Sequence, residues 1–561
     1  MPFKKNSIFF NIVISFYVTL LCMILGFTII KTKNEVKADT RHSQNFRNLV
    51  DTDYIKSSQF KIDILHYGLN IELNIIKKTI KGEAIITGVL LNPELKSIDL
   101  NFYDNMKISE VTLNNNKADF QQKNTSLSIS LNNNIIDTFI VKIIYEGTPK
   151  RAGLSAFTFG KVNGKDVVYN LNEPNYASTW FPCNDIPTDK AMLDISIKND
   201  SAFTSISNGK LIDVVSNGNK KLFHWKTFYP ISTYLICVYS SIYKNFNEKY
   251  ISLDGKDTMD VEYYALPSQY KETQKDFEGH PQMIKVLSEL FGEYPFIKEK
   301  YGVAEFLWNY GAMEHQTITG IGEAFVSGDR MFTDVYVHEL AHHWWGNAVG
   351  PATWDDIWLN EGFATYSEAL YDEKLYGEKA YIAKMMSGFE EFQGTLFKPG
   401  EDLFSSKVYQ KGCWVLHMLR WEVGDENFFK ILRQYFETYK YKNASTDNFI
   451  ALSEKISGQD LKKFFDQWVY TGDVIPKVIY SYEYDGKNKL IIHMKQVQKS
   501  NKVFKLKIEV EISFADGSNE TKLFEIEDIE NSFVIETKKK PIEMNVDPKN
   551  RLLVDFEPLE K

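Results

Sequence analysis

Residues 333 to 348 read T-D-V-Y-V-H-E-L-A-H-H-W-W-G-N-A, a run whose apolar residues recur at helical spacing. On such a helix His338 and His342 lie four residues apart, so both imidazoles leave one face and point at one place. Two nitrogen donors alone leave a tetrahedral ion short of ligands. After 18 intervening residues comes Glu361, in Trp358-Leu359-Asn360-Glu361-Gly362, within a second helical pattern from Trp354 to Tyr371. Two His and one Glu form the catalytic zinc set that keeps a fourth position open for water. Glu339, next along the chain from the first ligand, is placed to take that water's proton and pass it to a leaving amine. The pattern predicts one zinc ion and hydrolysis of an amide. His343 lies about 100° round the helix from His342 and reads as packing, or as a partner to the ligands rather than one of them.

At these residues the chain resembles the aminopeptidase N family of gluzincin zinc metallopeptidases, which also contains leukotriene hydrolase and whose signature is H-E-x-x-H, 18 residues, then Glu. A second match, Tyr310-Gly311-Ala312-Met313-Glu314-His315, is similar to the family's G-x-M-E-N exopeptidase motif. The resemblance implies that the backbone of Gly311, Ala312 and Met313 lies along the substrate and that Glu314 binds the free α-amino group. The chemistry agrees, because a fixed carboxylate beside a metal pairs with an ammonium and orients it. His315 stands where the family usually has Asn. An imidazole charges near neutral pH, which predicts an unusual acidic side to the activity profile. Val408-Tyr409-Gln410-Lys411-Gly412, ahead of a helical run from Cys413 to Trp421, looks like the family's Y-x-K-G segment. That likeness assigns Tyr409 to the oxyanion, where a phenol donor meets developing negative charge with little reorganisation. Glu173 sits nine residues before Pro182 of Phe181-Pro182-Cys183-Asn184-Asp185, the offset at which the family has a Glu or Gln that helps bind the amine. The family's intervening Arg is missing, and Ser178 and Thr179 lie there instead.

The composition, 43% hydrophobic and 25% charged over 561 residues, suits a globular enzyme of three or four domains. A net charge of −9 and a pI near 5.7 argue against nucleic acid as a partner, and Lys538-Lys539-Lys540 reads as a solvated turn. Ser7 to Ile30 is an uncharged run of 24 residues behind Lys4 and Lys5. As a helix it would reach about 36 Å, enough for a hydrocarbon core of about 30 Å. The expectation is a single-pass anchor in the cell membrane with the catalytic part outside; the alternative is secretion after signal cleavage near Ala38. Cys22, Cys183, Cys237 and Cys413 make no disulfide scaffold, and buried thiols are expected of the last three.

Residues 1–38 are thus read as anchor or signal and 39–53 as a linker. Short alternating stretches such as Lys61 to Tyr67 and Leu127 to Leu131 mark 54–250 as a β domain. From 251 to 474 the spacing turns helical, as in Leu461, Phe464, Phe465 and Trp468, and strand patterns return over 475–561, with Phe504 to Ile512 alternating cleanly. The fold class is multidomain α+β, and the resemblance fills it in as a β saddle, a thermolysin-like, mainly helical catalytic domain and a C-terminal β-sandwich. Many family members continue into a large helical domain that this sequence lacks, so a more open cleft or closure by a partner subunit is expected. The function read from the residues is removal of N-terminal residues from peptides with a free amine. An endopeptidase or epoxide hydrolase on the same site, or a non-catalytic surface binding protein, are the alternatives. Oligomeric state is not legible.

Overall fold

The computed structural model describes residues 54–131, 137–306, 311–400, 402–471, 474–500 and 502–559. The first part is sheet. Eight strands stand in the order 210–217, 220–226, 192–200, 62–74, 79–90, 138–147, 106–113 and 116–117. Alternation builds this sheet: in Thr138–Gly147 the side chains of Phe139, Val141, Ile143 and Tyr145 are buried and those between them are not. In Ile62–Asn74 the pairing register shifts between Ile64 and His66, which turns Leu65 outward and lets Tyr67, Leu69, Ile71 and Leu73 continue into the core. A three-stranded and a four-stranded sheet complete this part, and its core, centred on Trp180 and Phe181, runs on into Phe306 and Met313.

The next sheet has five strands, in the order Lys244–Ile251, Thr258–Ala265, Lys300–Phe306, Ile318–Gly322 and Ala312–Met313. Lys244–Ile251 crosses the expected boundary at 250/251, because it pairs along its length with Thr258–Ala265 and its Tyr250 enters the second core. Alternation within a strand does not reveal which sheet the strand joins.

The first ligand helix is Thr333–Ala341, shorter than the helical spacing to Ala348 predicts. Beyond it the backbone widens: the N–H groups of Asn347, Ala348 and Val349 reach back five residues, to the carbonyls of His342, His343 and Trp344, and Gly346 adopts a left-handed φ of 124°. The second ligand helix is Trp358–Tyr376. Gly412–Val423 crosses it so closely that a Cβ on Gly362 would fall 2.8 Å from the Cα of Gly412. Residues 477–558 form a four-stranded and a three-stranded sheet faced together through Phe524 and Phe533. Trp421 and His417 dock this sandwich on the Gly412–Val423 helix by bonds to the carbonyls of Lys507 and Asn550. Lys538 to Lys540 occupy an exposed turn.

Cys183, Cys237 and Cys413 are buried and free. The apolar run from Ser7 to Ile30 lies outside the described residues, among which no helix is long and apolar enough to cross a membrane.

Candidate active site

Three donor atoms converge between the two ligand helices. His338 Nε2 and His342 Nε2 are 3.1 Å apart, and each is 3.3 Å from Glu361 Oε2. Bonds of about 2.0–2.1 Å to a tetrahedral zinc would space donors about 3.3–3.4 Å apart, so the triangle matches the ion. The tautomers match as well. His338 Nδ1 donates to Glu368 Oε1 at 2.8 Å and His342 Nδ1 to the carbonyl of Trp345 at 2.9 Å, so both Nε2 atoms turn lone pairs toward the centre. Burial works against charge on His338, yet Glu361 and Glu368 draw its pKa well above the ordinary value. His342 is likewise raised, with the Glu361 carboxylate the main force against burial. A pocket that pulls protons onto two imidazoles is a pocket built for positive charge.

Glu368 is a functional residue that motif reading missed. It lies seven residues beyond Glu361, two turns along the same helix face, and that periodicity was the available signal. The widened turn after Ala341 has its own use, since it swings the Trp345 carbonyl back to His342.

Glu339 is buried, and burial raises its carboxyl, with the charges of Glu314 and Glu361 adding to the rise and both imidazoles opposing it. A carboxylate moved upward is a better proton acceptor near neutral pH. Glu314 is 4% exposed and Glu173 6%; each has one buried oxygen, Oε1, with no hydrogen-bond partner in the structure. Burial raises both, and the Glu314 charge is the next largest influence on Glu173. Two carboxylates within each other's field, each with one unpartnered oxygen, are costly to bury unless a cation joins them.

Both are firmly held. Ala312–Met313 is an edge strand paired with Ile318–Gly322, and Gly311 accepts a bond from the Gly322 N–H. Asn347 Nδ2 donates to the Glu314 carbonyl at 2.7 Å, tying this strand to the turn after the ligand helix. Glu173 is flanked by Asn172, which accepts from Trp180 Nε1, and by Asn175, whose side chain accepts from Trp354 Nε1 and whose carbonyl accepts from Tyr54. Tyr310 lies outside the described residues.

Tyr409 sits on a wide turn of helix, Lys407–Lys411, and its ring stacks on His338 with centroids 5.8 Å apart. Burial, and then the charges of Glu361, Glu173, Glu314 and Glu339, raise its phenol well above the usual range, so it stays a donor. The Gly362–Gly412 contact sets this placement, because Glu361 and Tyr409 lie within three residues of it on opposite sides. Tyr234, which no motif marked, is buried beside the same carboxylates and bonds to the Gly346 carbonyl at 3.3 Å.

His343 takes the packing role, fully buried against Tyr294, Phe296 and Tyr301. Its Nε2 accepts from the Thr317 N–H at 3.0 Å and its Nδ1 donates to the Glu339 carbonyl at 3.3 Å, joining the ligand helix to the strand after Glu314. The expectation for His315 needs correction. It is fully buried against Tyr239, 2.7 Å from that hydroxyl, and burial pushes its pKa down to about 3. It is neutral throughout the range in which its charge was to alter the activity profile.

The Peptidase family M1 domain matches residues 276–468, and the Peptidase M1 N-terminal domain matches residues 64–235. The chain belongs to peptidase family M1. Leucine aminopeptidase 2 of Yarrowia lipolytica is 29% identical over 64% of this M1 chain and 58% of its own length. Aminopeptidase N of Lactococcus lactis is 29% identical over 72% of this chain and 50% of its own. The chain thus spans about half the length of the curated relatives it matches. Among solved structures, a mutant M1 zinc metallopeptidase of Deinococcus radiodurans bound to a Tyr-Ser-Ala substrate is 25% identical. That likeness has a TM-score of 0.67 and covers 75% of this chain and 98% of the other. Zinc is the metal of this family, and His338, His342 and Glu361 are the only His, Cys, Asp or Glu group among the described residues arranged to hold an ion.

Proposed function

We propose that this chain is a zinc aminopeptidase that hydrolyses the first peptide bond of peptides with a free N-terminus. The observation that carries the reading is the pair Glu173 and Glu314, each with one buried, partnerless oxygen and each in the field of Glu361. An α-ammonium supplies the charge and the three donors that these oxygens lack. A substrate held there by its amine, with its backbone along the open edge of Gly311 to Met313, presents its first carbonyl to the triad. The names of the Yarrowia and Lactococcus relatives, and the tripeptide bound by the Deinococcus enzyme, support the same reading.

His338, His342 and Glu361 would hold zinc, which would supply Lewis acidity to the site. Glu339 accepts the water's proton as oxygen attacks carbon and returns it to the departing nitrogen. Tyr409 donates its hydroxyl hydrogen to the carbonyl oxygen as that atom gains charge. Glu173 and Glu314 hold the amine still throughout.

Hydrolysis of aminoacyl-arylamides beside their N-acetylated counterparts, with and without a zinc chelator, tests the proposal. Chelator-sensitive cleavage of the free-amine series alone is expected. Equal cleavage of both series would transfer the site to an endopeptidase, and none with zinc bound would favour a binding protein.

We also propose that the chain is exported, held at the cell membrane by Ser7 to Ile30 or released by cleavage near Ala38. The length and uncharged character of that run support it. Amino-terminal sequencing of the native protein from separated membrane and soluble fractions distinguishes the two, and a purely cytoplasmic protein would refute both.

A further inference from the structure

Behind the metal triad a third helix, Glu378–Ser387, contributes Lys384. Its ammonium lies 2.6 Å from Glu368 Oε2, on the carboxylate whose other oxygen holds His338. The same ammonium pairs with Asp334, in the first turn of the helix that carries His338 and His342. Lys384 is only 20% exposed and Glu368 12%, so water screens the contact poorly. Asp372 stands in the field of the same three groups. One cation therefore sits among carboxylates from both ligand helices.

We propose that Lys384 is a positioning residue for zinc: by bridging Asp334 on the first ligand helix and Glu368 on the second, it fixes the spacing at which His338, His342 and Glu361 meet the ion. Without it Glu368 loses the partner that orients it, and Asp334, Glu368 and Asp372 repel one another across the gap between the helices. His338 is then free to rotate. The inference rests on the zinc reading of the triad and not on the identity of the substrate.

The test is zinc affinity, measured by competition with a chromophoric chelator on apoprotein of the wild type, K384M, K384R, E368Q and the double variant K384M/E368Q. Apoprotein melting temperatures show which variants are folded. Partners of metal-binding histidines are worth about 10–100-fold in affinity, and K384M is expected within that range. K384R keeps the charge and is expected within about threefold of wild type, a rescue that packing alone would not give. Because Lys384 acts through Glu368, K384M on the E368Q background is expected to add less than about threefold. The proposal is overturned by a K384M affinity equal to wild type, by K384R as weak as K384M, or by full additivity in the double variant. Should K384M fail to fold, K384Q takes its place in each of these comparisons. Failure of the wild type to bind zinc would instead overturn the triad itself, a result distinct from any of these.

Discussion

The two halves of the candidate site are built on opposite principles. On the metal side both histidines have partners behind them: His338 has Glu368, Glu368 has Lys384, and His342 has the Trp345 carbonyl. On the amine side the backbone is pinned from several directions while Glu173 and Glu314 each keep one buried carboxylate oxygen without a donor. A resident ion calls for preorganised donors, since it stays. A passing ammonium calls for an unfilled need, since unpaired buried charge is relieved only while the ligand is present.

The comparison breaks most severely at the groups that act on the substrate's carbonyl. E339Q should lose about 10²–10⁴-fold in kcat with its zinc content unchanged, because only the proton acceptor is removed. A variant that kept normal turnover would end the assignment of Glu339 as base. Y409F should lose about 10²–10³-fold in kcat with little change in KM; a pure KM effect would mean that the hydroxyl binds substrate instead of its charged intermediate.

The amine side predicts a smaller and different loss. E314Q should lower kcat/KM for free-amine substrates by about 10–100-fold, the worth of a hydrogen bond to a charged group, while zinc affinity is unaffected. E173Q should follow in the same direction with a smaller effect. Loss of zinc from either variant would show that the two halves are not independent.

The smallest effect concerns pH. Burial pushes His280 and His417 down to about 4 and His315 to about 3. An unfolded histidine protonates near 6.5, so between about pH 6.5 and 4 these three positions bind more protons in the unfolded chain, and their share of the stability falls as pH falls, while the buried carboxyls of Asp189, Glu299, Glu305 and Asp547, raised to about 6 to 8, work the other way. Calorimetry of the apoprotein from pH 7 to 5 should show a slope of melting temperature against pH that is less positive in H315N than in the wild type. Equal slopes would mean that His315 is protonated in the folded protein.

The metal triad and Glu339 were legible because their spacings are local and their chemistry is restrictive, whereas Glu314 and Tyr409 were singled out only by their likeness to the family's motifs. Two imidazoles at i and i+4 before a distant Glu leave few other uses. Glu368 and Lys384 were not legible, since carboxylates and lysines on helices are ordinary surface residues until the tertiary structure places them behind a ligand. The length of the first ligand helix was overestimated for a related reason. Trp344, Trp345 and Ala348 are buried whether the backbone runs as an α-helix or in wider turns, and hydrophobic periodicity does not separate the two. The sheets were legible as strands, but the assignment of Lys244–Ile251 to one sheet or the other was not, because both neighbours offer the same alternation.

Tyr54 carries one last consequence. Its hydroxyl contacts the Asn175 carbonyl, the Ser178 hydroxyl and Asp185 Oδ2, at 2.9, 2.7 and 2.8 Å, all in the segment that presents Glu173. Anyone trimming the chain to a soluble enzyme must therefore cut ahead of this tyrosine. A fragment begun at Lys56 would retain every metal ligand and still leave the loop that carries Glu173 without its latch.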